Sequence, residues 1–246
     1  MAGAQGLAPR MNLHVPRRLL LADPIASGIE LRVLRFNSHQ HTDGNFHQCG
    51  VVFPSELVKA GRTRRCEYLA GRRCARSALE SLGCGNVSVP IGPDGAPGWP
   101  PGYSGSISHN KSWAAAAVAV AAHTRPGIDC ETIVDGTTFR DIANIVAAND
   151  ELKAAERELG DRHLALTLLF SAKESVFKTL ESKDRAGHEF SSLRITISDC
   201  DSGIFLASEV RPTSAPRAWR GLYRHLDPRT ILTFVVSANA VRNGKD

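Results

Sequence analysis

The sequence has few aromatic residues and no cysteine pattern typical of a metal site. Aromatic residues make up 6% of the 246 positions, so the bases of a nucleic acid would find few side chains on which to stack. The six cysteines form no CxxC pair and no zinc-like cluster. In a chain of this size, such cysteines are typical of reduced thiols in a cytoplasm.

Long apolar runs are also missing. No stretch approaches the roughly 20 apolar residues that a helix needs to cross a bilayer. Near the amino terminus, Arg17 and Arg18 precede an apolar run over Leu19–Ala22, which is too short for a signal peptide. We therefore expect a cytoplasmic protein with no membrane partner. The Ala/Gly-rich residues 1–10 are expected to be disordered.

Composition leaves the class of partner open. A hydrophobic content of 42% with 22% charged residues is ordinary for a globular protein, and the length suits one large domain or two small ones. The formal net charge of +5 indicates an anionic partner. Nucleic acid, an acidic protein and a phosphorylated small molecule all remain possible.

Local patterns predict a mixture of helices and strands. Residues 28–36 alternate apolar and polar side chains as a half-buried strand does, and residues 54–82 are helical in character up to Gly83. Glycine and proline make residues 83–105 mostly loop. The alanine-rich residues 112–122 fit either a helix or a strand. Further helices are predicted from about residue 139 and over 161–180, and further strands over 192–198, 203–210 and 230–238.

The first chemical motif is "GIDCE", residues 127–131. Side chains at i and i+2 of a strand point to the same face, so Asp129 and Glu131 would lie together. Two hard oxygen ligands that converge in this way suit Mg²⁺, which prefers carboxylates together with substrate phosphates. The alternative is a pair of exposed charges at the end of a strand.

Two further motifs contain basic and hydroxyl groups. In "FSAKESVFK", residues 170–178, Glu174 and Lys178 are i,i+4 neighbours on a helix, and Lys173 and Lys178 bracket the glutamate. This arrangement can hold a diphosphate while Glu174 supplies a third oxygen to a metal; the alternative is an exposed ion pair. In "GSISH", residues 105–109, Ser108 and His109 can hydrogen-bond a phosphate, or the histidine can be structural.

Taken in order, these motifs carry a family resemblance. "GSISH", "GIDCE" and "FSAKESVFK" resemble the 4′-phosphopantetheinyl transferase superfamily, whose marks are a Ser-His element, G-I-D-x-E and F-x-x-K-E-x-x-x-K. The upstream segments "RRCEYLAGRRCARSAL" and "GPDGAPGWPPGYSGSISH" resemble its branch of enterobactin-synthetase type, with monomeric bacterial enzymes. The resemblance extends from about Arg64 to Leu180. It departs from that branch at Ile91, where relatives often have a basic residue, so one phosphate contact is expected to be missing.

The resemblance implies a role for each matched residue. Asp129, Glu131 and Glu174 match the acidic positions around Mg²⁺ and the pyrophosphate of coenzyme A, and Lys173 and Lys178 match the basic positions. Ser108 and His109 match the pair that lies against the nucleotide end of coenzyme A. Arg64 and Arg72 fall where this branch directs arginines at the nucleotide and its 3′-phosphate, although neighbouring arginines at 62, 65 and 73 are alternatives.

The implied fold is α+β, with two similar halves related by a pseudo-twofold axis. Each half would be a small sheet packed with a long helix, with coenzyme A in the cleft between them. We place the boundary at Arg125–Pro126, giving subdomains over 1–125 and 126–246. In this fold the ambiguous residues 112–122 become a strand.

The implied activity is transfer of the 4′-phosphopantetheine arm of coenzyme A to a serine of an apo acyl, peptidyl or aryl carrier protein. Glu174, directly or through a metal-bound water, is the candidate base, and a monomer suffices because both halves are on one chain. Two alternatives stay open. A metal-dependent nuclease or other phosphoryl-transfer enzyme would also use clustered carboxylates. A non-catalytic nucleic-acid-binding domain would explain the arginines of residues 62–76 but not the acids.

Overall fold

The computed structural model describes residues 15–20, 26–120, 124–180, 189–210 and 217–237. Its strands are β1 (Arg17–Arg18), β2 (Ile29–Arg35), β3 (Tyr103–His109), β4 (Trp113–Val120), β5 (Pro126–Thr132), β6 (Leu193–Asp199), β7 (Ile204–Glu209), β8 (Ala218–Asp227) and β9 (Thr230–Ser237). Its α-helices are α1 (Gly44–Gln48), α2 (Arg62–Ser81), α3 (Gly136–Val146), α4 (Asn149–Leu159) and α5 (Arg162–Thr179).

The first half is an antiparallel sheet in the order β1-β2-β4-β3, covered on one face by α2. Strand β4 is rich in alanine, which by itself favours a helix. It is a strand because β2 and β3 pair with it on both sides, with Ala116 opposite both Arg32 and Ile107. The small side chains of β4 meet similarly small residues of α2, such as Ala70 and Ala78.

The second half is a five-stranded antiparallel sheet in the order β5-β9-β8-β7-β6, packed against α5. Asp161 caps α5 by accepting hydrogen bonds from the backbone N–H groups of His163 and Leu164. The helix lies so close to β5 that a Cβ atom at Gly127 would be 1.9 Å from the carbonyl oxygen of Ser175. This close approach brings the "FSAKESVFK" helix over the "GIDCE" strand.

The two sheets meet along the edge strands β3 and β5, where serine side chains replace backbone pairing. The hydroxyl of Ser106 accepts from the backbone N–H of Ile128 at 3.2 Å, and that of Ser108 accepts from the N–H of Cys130 at 3.3 Å. A shared apolar cluster, which includes Val33 and Phe234, lies between the sheets. Residues of both halves therefore come together at this seam.

These features confirm the predicted α+β class, with a sheet and a long helix in each half. The pseudo-twofold relation and the boundary at 125/126 stay predictions. The local predictions were incomplete: α2 begins at Arg62 rather than Pro54, β3 begins inside a segment predicted as mostly loop, and α1, α4, β1 and β8 were not predicted. Within the described ranges, no helix is long and apolar enough to span a membrane.

Candidate active site

The centre of the site is Asp129, whose carboxylate is held by groups from two other elements, β3 and α5. On β5, Gly127, Asp129 and Glu131 share one face, and Asp129 is only 3% exposed. Its Oδ1 accepts from Ser108 Oγ of β3 at 2.8 Å and from Lys178 Nζ of α5 at 2.6 Å. A short charge-assisted contact of this kind is a strong one. The predicted proximity of Asp129 and Lys178 is therefore present in the structure.

Buried hydroxyl groups form the rest of the surroundings of Asp129. Ser171 of α5 donates to Asp129 Oδ2 at 2.8 Å, because a carboxylate can only accept. Thr233 Oγ1 lies 2.8 Å from Ser171 Oγ and 2.7 Å from Ser175 Oγ. All three hydroxyl residues are fully buried. The sequence-based interpretation missed Ser171 and Thr233, although small polar residues on an otherwise apolar helix face are a usable signal.

Ser108 of β3 lies at this carboxylate. Its hydroxyl donates to Asp129 and accepts from Cys130 N–H, and the residue is only 7% exposed. With its hydroxyl used in this way, Ser108 joins the two halves. The expectation that Ser108 lies against the nucleotide end of coenzyme A stays a prediction.

Glu131 and Glu174 add negative charge to the same region. The pKa of Glu131 is raised to about 8, chiefly by burial and then by the nearby Asp129 carboxylate; within this total Lys178 lowers the pKa and Glu174 raises it. In the described part of the chain, no three His, Cys, Asp or Glu side chains are arranged to hold a metal ion as they stand. The donor set nevertheless fits a hard divalent cation, because a cation would relieve the repulsion that raises this pKa.

A second group of charged residues lies beside this one, around His109. Arg64 Nη1 is 2.8 Å from His109 Nε2; since a guanidinium only donates, Nε2 is the acceptor and the imidazole is neutral. Burial, Arg64 and Lys178 together lower the pKa of His109 to about 4. Glu67 lies opposite, with Oε2 3.6 Å from His109 Nδ1 and 3.8 Å from Arg64 Nη1. Glu67 was not identified from the sequence.

Arg64, Arg72 and His109 line a common cavity of about 180 Å³, together with residues of the "GPDGAP" turn such as Gly95. The guanidinium of Arg72 lies over the ring of Tyr68, 4.4 Å from its centroid. The buried Nε of Arg72 has no hydrogen-bond partner among the described residues, and burial lowers the pKa of Arg72. A buried donor without an acceptor fits a site for an anion.

Ile91, at the position where the resemblance led us to expect a basic residue, lines this cavity. It also lines a second cavity of about 510 Å³, together with Tyr68 and Arg72. No cation from position 91 reaches either cavity. The expected loss of one phosphate contact stays a prediction.

Lys173 is the predicted site residue that the structure does not bring to this region. It is fully buried, and its Nζ donates to Glu151 Oε2 at 2.9 Å and to the carbonyl of Val146 at 2.8 Å. Five residues along a helix turn the side chain by about 140°, so Lys173 and Lys178 point to different sides of α5. The prediction that Lys173 contacts a pyrophosphate is therefore wrong in this fold. Glu174 and Lys178, four residues apart, share a face as predicted.

Comparison with known proteins shows which family the chain resembles. The model of the 4′-phosphopantetheinyl transferase N-terminal domain matches residues 53–119, and the model of the 4′-phosphopantetheinyl transferase superfamily matches residues 125–235. Among similar proteins, 4′-phosphopantetheinyl transferase Svp of Streptomyces mobaraensis is 33% identical over 181 residues, which are 71% of this chain and 72% of the relative.

Several of the similar proteins are of the enterobactin type. Enterobactin synthase component D of Salmonella typhimurium is 42% identical over 127 residues, 52% of this chain and 53% of the relative. The protein of the same name from Salmonella typhi is 36% identical over 160 residues, 64% of each chain. The chain therefore spans between about half and two thirds of these two relatives. Because the family models match both halves and the Streptomyces relative is matched over most of its length, the chain belongs to the 4′-phosphopantetheinyl transferase superfamily.

Proposed function

We propose that this chain transfers the 4′-phosphopantetheine arm of coenzyme A to a serine hydroxyl of an apo carrier protein. The single observation that carries the proposal is the Lys178–Asp129 contact of 2.6 Å beside a cavity lined by Arg64, Arg72 and His109. In a member of this family, such a site offers cations to a pyrophosphate and to a nucleotide phosphate. A nuclease would also use clustered acids, but it would leave the family match over both halves unexplained.

The arginines are proposed to bind the nucleotide end of coenzyme A. A guanidinium fork suits a phosphate dianion, and Arg72 has a buried N–H group ready to donate. The neutral His109 leaves the arginines as the main positive charges of the cavity. This assignment orients the pyrophosphate of coenzyme A toward Asp129 and Lys178.

Asp129, Glu131 and Glu174 are the residues proposed to hold Mg²⁺. When bound, the ion would supply positive charge at the pyrophosphate as the bond to the leaving group breaks. Lys178 supplies further positive charge from the protein itself. Ser108 and Ser171 fix both oxygens of Asp129, so that its carboxylate needs little reorganisation during the reaction.

The reaction forms a bond between the carrier serine oxygen and the β-phosphorus of coenzyme A. The bond between that phosphorus and the bridging oxygen breaks, and adenosine 3′,5′-bisphosphate leaves with the electron pair. The serine proton must be removed as the oxygen attacks, and we propose Glu174 as its acceptor. Glu174 shares its helix face with Lys178, so both groups can act at the same phosphoryl group.

The proposed partners are acyl, peptidyl or aryl carrier domains. These are acidic around the modified serine, to which a chain of net charge +5 is complementary. The names of the enterobactin relatives favour a siderophore or another nonribosomal peptide pathway, and fatty-acid synthesis is a further candidate. We also propose that the chain acts as a cytoplasmic monomer and binds neither nucleic acid nor membrane.

Mass spectrometry of an apo carrier domain tests the proposal directly. We expect the carrier to gain one phosphopantetheine arm when it is incubated with the chain, coenzyme A and Mg²⁺, and to stay unmodified when Mg²⁺ is chelated. Asp129→Asn should abolish the gain. Asp150→Asn, at an exposed ion pair with Arg194, is the matched control and should behave as wild type. An unmodified carrier with the wild-type chain would refute the proposed activity.

A further inference from the structure

Glu67 has no part in the reaction as proposed, yet it lies in the wall of the nucleotide cavity. It is on α2, and its side chain is 16% exposed. Among the described residues that line this cavity it is the one carboxylate. A carboxylate is an unexpected group where a phosphate is to bind, because the two would repel each other.

The surroundings of Glu67 explain its presence. Its carboxylate faces Arg64 at 3.8 Å and His109 Nδ1 at 3.6 Å, and these two residues contact each other at 2.8 Å. Arg72 lies on the same helix and lines the same cavity. Without Glu67, two guanidiniums would share a small cavity with no negative charge from its wall. An ion pair of this kind restrains the long side chain of Arg64, which is 56% exposed.

Glu67 also matters for His109. Since Nε2 accepts from Arg64, the ring proton is on Nδ1, the atom that faces Glu67. Lys178 of α5 and Asp129 of β5 also act on the ring electrostatically. The ring thus lies between a guanidinium that donates to Nε2 and a carboxylate 3.6 Å from Nδ1.

We propose that Glu67 is a positioning residue of the nucleotide site, which holds Arg64 and the Nδ1–H form of His109 in the geometry that receives a nucleotide phosphate. This inference rests on the proposed function for the identity of the ligand. Glu67 does not touch the reacting atoms. Its effect is on binding of the nucleotide end of coenzyme A and not on the chemical step.

Two variants distinguish a positioning role of Glu67 from simple repulsion between Glu67 and the bound phosphate. Glu67→Ala removes the charge and the polar side chain, whereas Glu67→Gln removes the charge but keeps a polar side chain of the same length facing His109 Nδ1. If positioning dominates, Glu67→Ala raises the KM for coenzyme A roughly three- to tenfold, with kcat within about twofold. Glu67→Gln should recover part of the loss. Glu80→Ala, which removes an exposed acid of α2 paired with Arg76, is the control and should leave the KM unchanged.

Calorimetric titration with adenosine 3′,5′-bisphosphate provides a second measurement that needs no transfer activity. We expect Kd to rise in the order wild type, Glu67→Gln, Glu67→Ala, with thermal unfolding showing that each variant is folded. A lower Kd in both variants would mean that Glu67 only repels the phosphate, and an unchanged Kd would mean that it has no role; either result overturns the inference. If the wild-type chain binds the bisphosphate but does not modify a carrier, the proposed activity fails while the inference on Glu67 is still decided.

Discussion

Ser108 Oγ donates a hydrogen bond of 2.8 Å to Asp129 Oδ1, so an edge strand of the first sheet fixes a carboxylate of the second. The same hydroxyl accepts from the backbone N–H of Cys130. One small side chain therefore joins the two halves at the position where the proposed chemistry takes place. This contact connects the stability of the seam with the geometry of the site.

Replacing Ser108 by alanine should weaken both the stability of the seam and the geometry of the site. The change leaves the Cys130 N–H and one lone pair of Asp129 without their buried partner, which costs about 1–3 kcal/mol in the free energy of unfolding. Urea denaturation measures this loss. Ser198→Ala, at an exposed position of β6, should stay within about 0.5 kcal/mol of wild type. Equal stability of the two variants would show that the seam does not depend on this hydroxyl.

Lys173 should contribute to stability rather than to coenzyme A binding. Lys173→Met leaves the Glu151 carboxylate buried without its ammonium, which costs about 3–5 kcal/mol. The double variant Lys173→Met/Glu151→Gln should recover part of this loss, because the introduced side-chain amide is uncharged and its oxygen can still accept from the N–H of Ile195. Denaturation curves give these values. Under conditions where Lys173→Met is folded, its KM for coenzyme A should match wild type. A large rise in this KM would instead indicate that Lys173 contacts the phosphates of coenzyme A.

The comparison of Lys173 with Lys178 shows what the sequence could predict. The two-residue period of a strand was enough to place Asp129 and Glu131 on one face, and the helical period was enough to pair Glu174 with Lys178. The same helical period, applied to Lys173, would have turned it away from the site. That error was avoidable from the sequence.

Other features were outside the reach of local patterns. Ser108 and Asp129 are separated by 21 residues and belong to different sheets, so their contact depends on how the sheets join. The alanine-rich β4 has the composition of a helix and becomes a strand only because both of its neighbours pair with it. Glu67 lies within a basic helix, and its proposed role depends on the position of His109, which belongs to strand β3.

Gly127 should tolerate no side chain. A Cβ atom there would lie 1.9 Å from the carbonyl oxygen of Ser175, so α5 would have to move away from β5. Such overpacking typically costs about 1–3 kcal/mol and sometimes more. Gly127→Ala should therefore lower the melting temperature and reduce transfer, because α5 carries Lys178. Gly85→Ala, where a Cβ atom would meet nothing within 4 Å, is the control. A melting temperature equal to wild type would show that α5 can shift without loss.

His109 should make the fold sensitive to acid. Its pKa is lowered from 6.5 to about 4 in the folded chain, chiefly by burial and then by Arg64. Between these values the unfolded chain binds a proton at this residue that the folded chain does not, so stability falls as the pH drops from about 6.5 toward 4. The full contribution is about 3 kcal/mol. His109→Gln should remove this component, so the difference between its unfolding free energy and that of wild type should change over this pH range. His225→Gln, at an exposed position of β8, is the control. A difference that stays constant from pH 7 to pH 4 would contradict a partly buried, neutral imidazole in the wall of the nucleotide cavity.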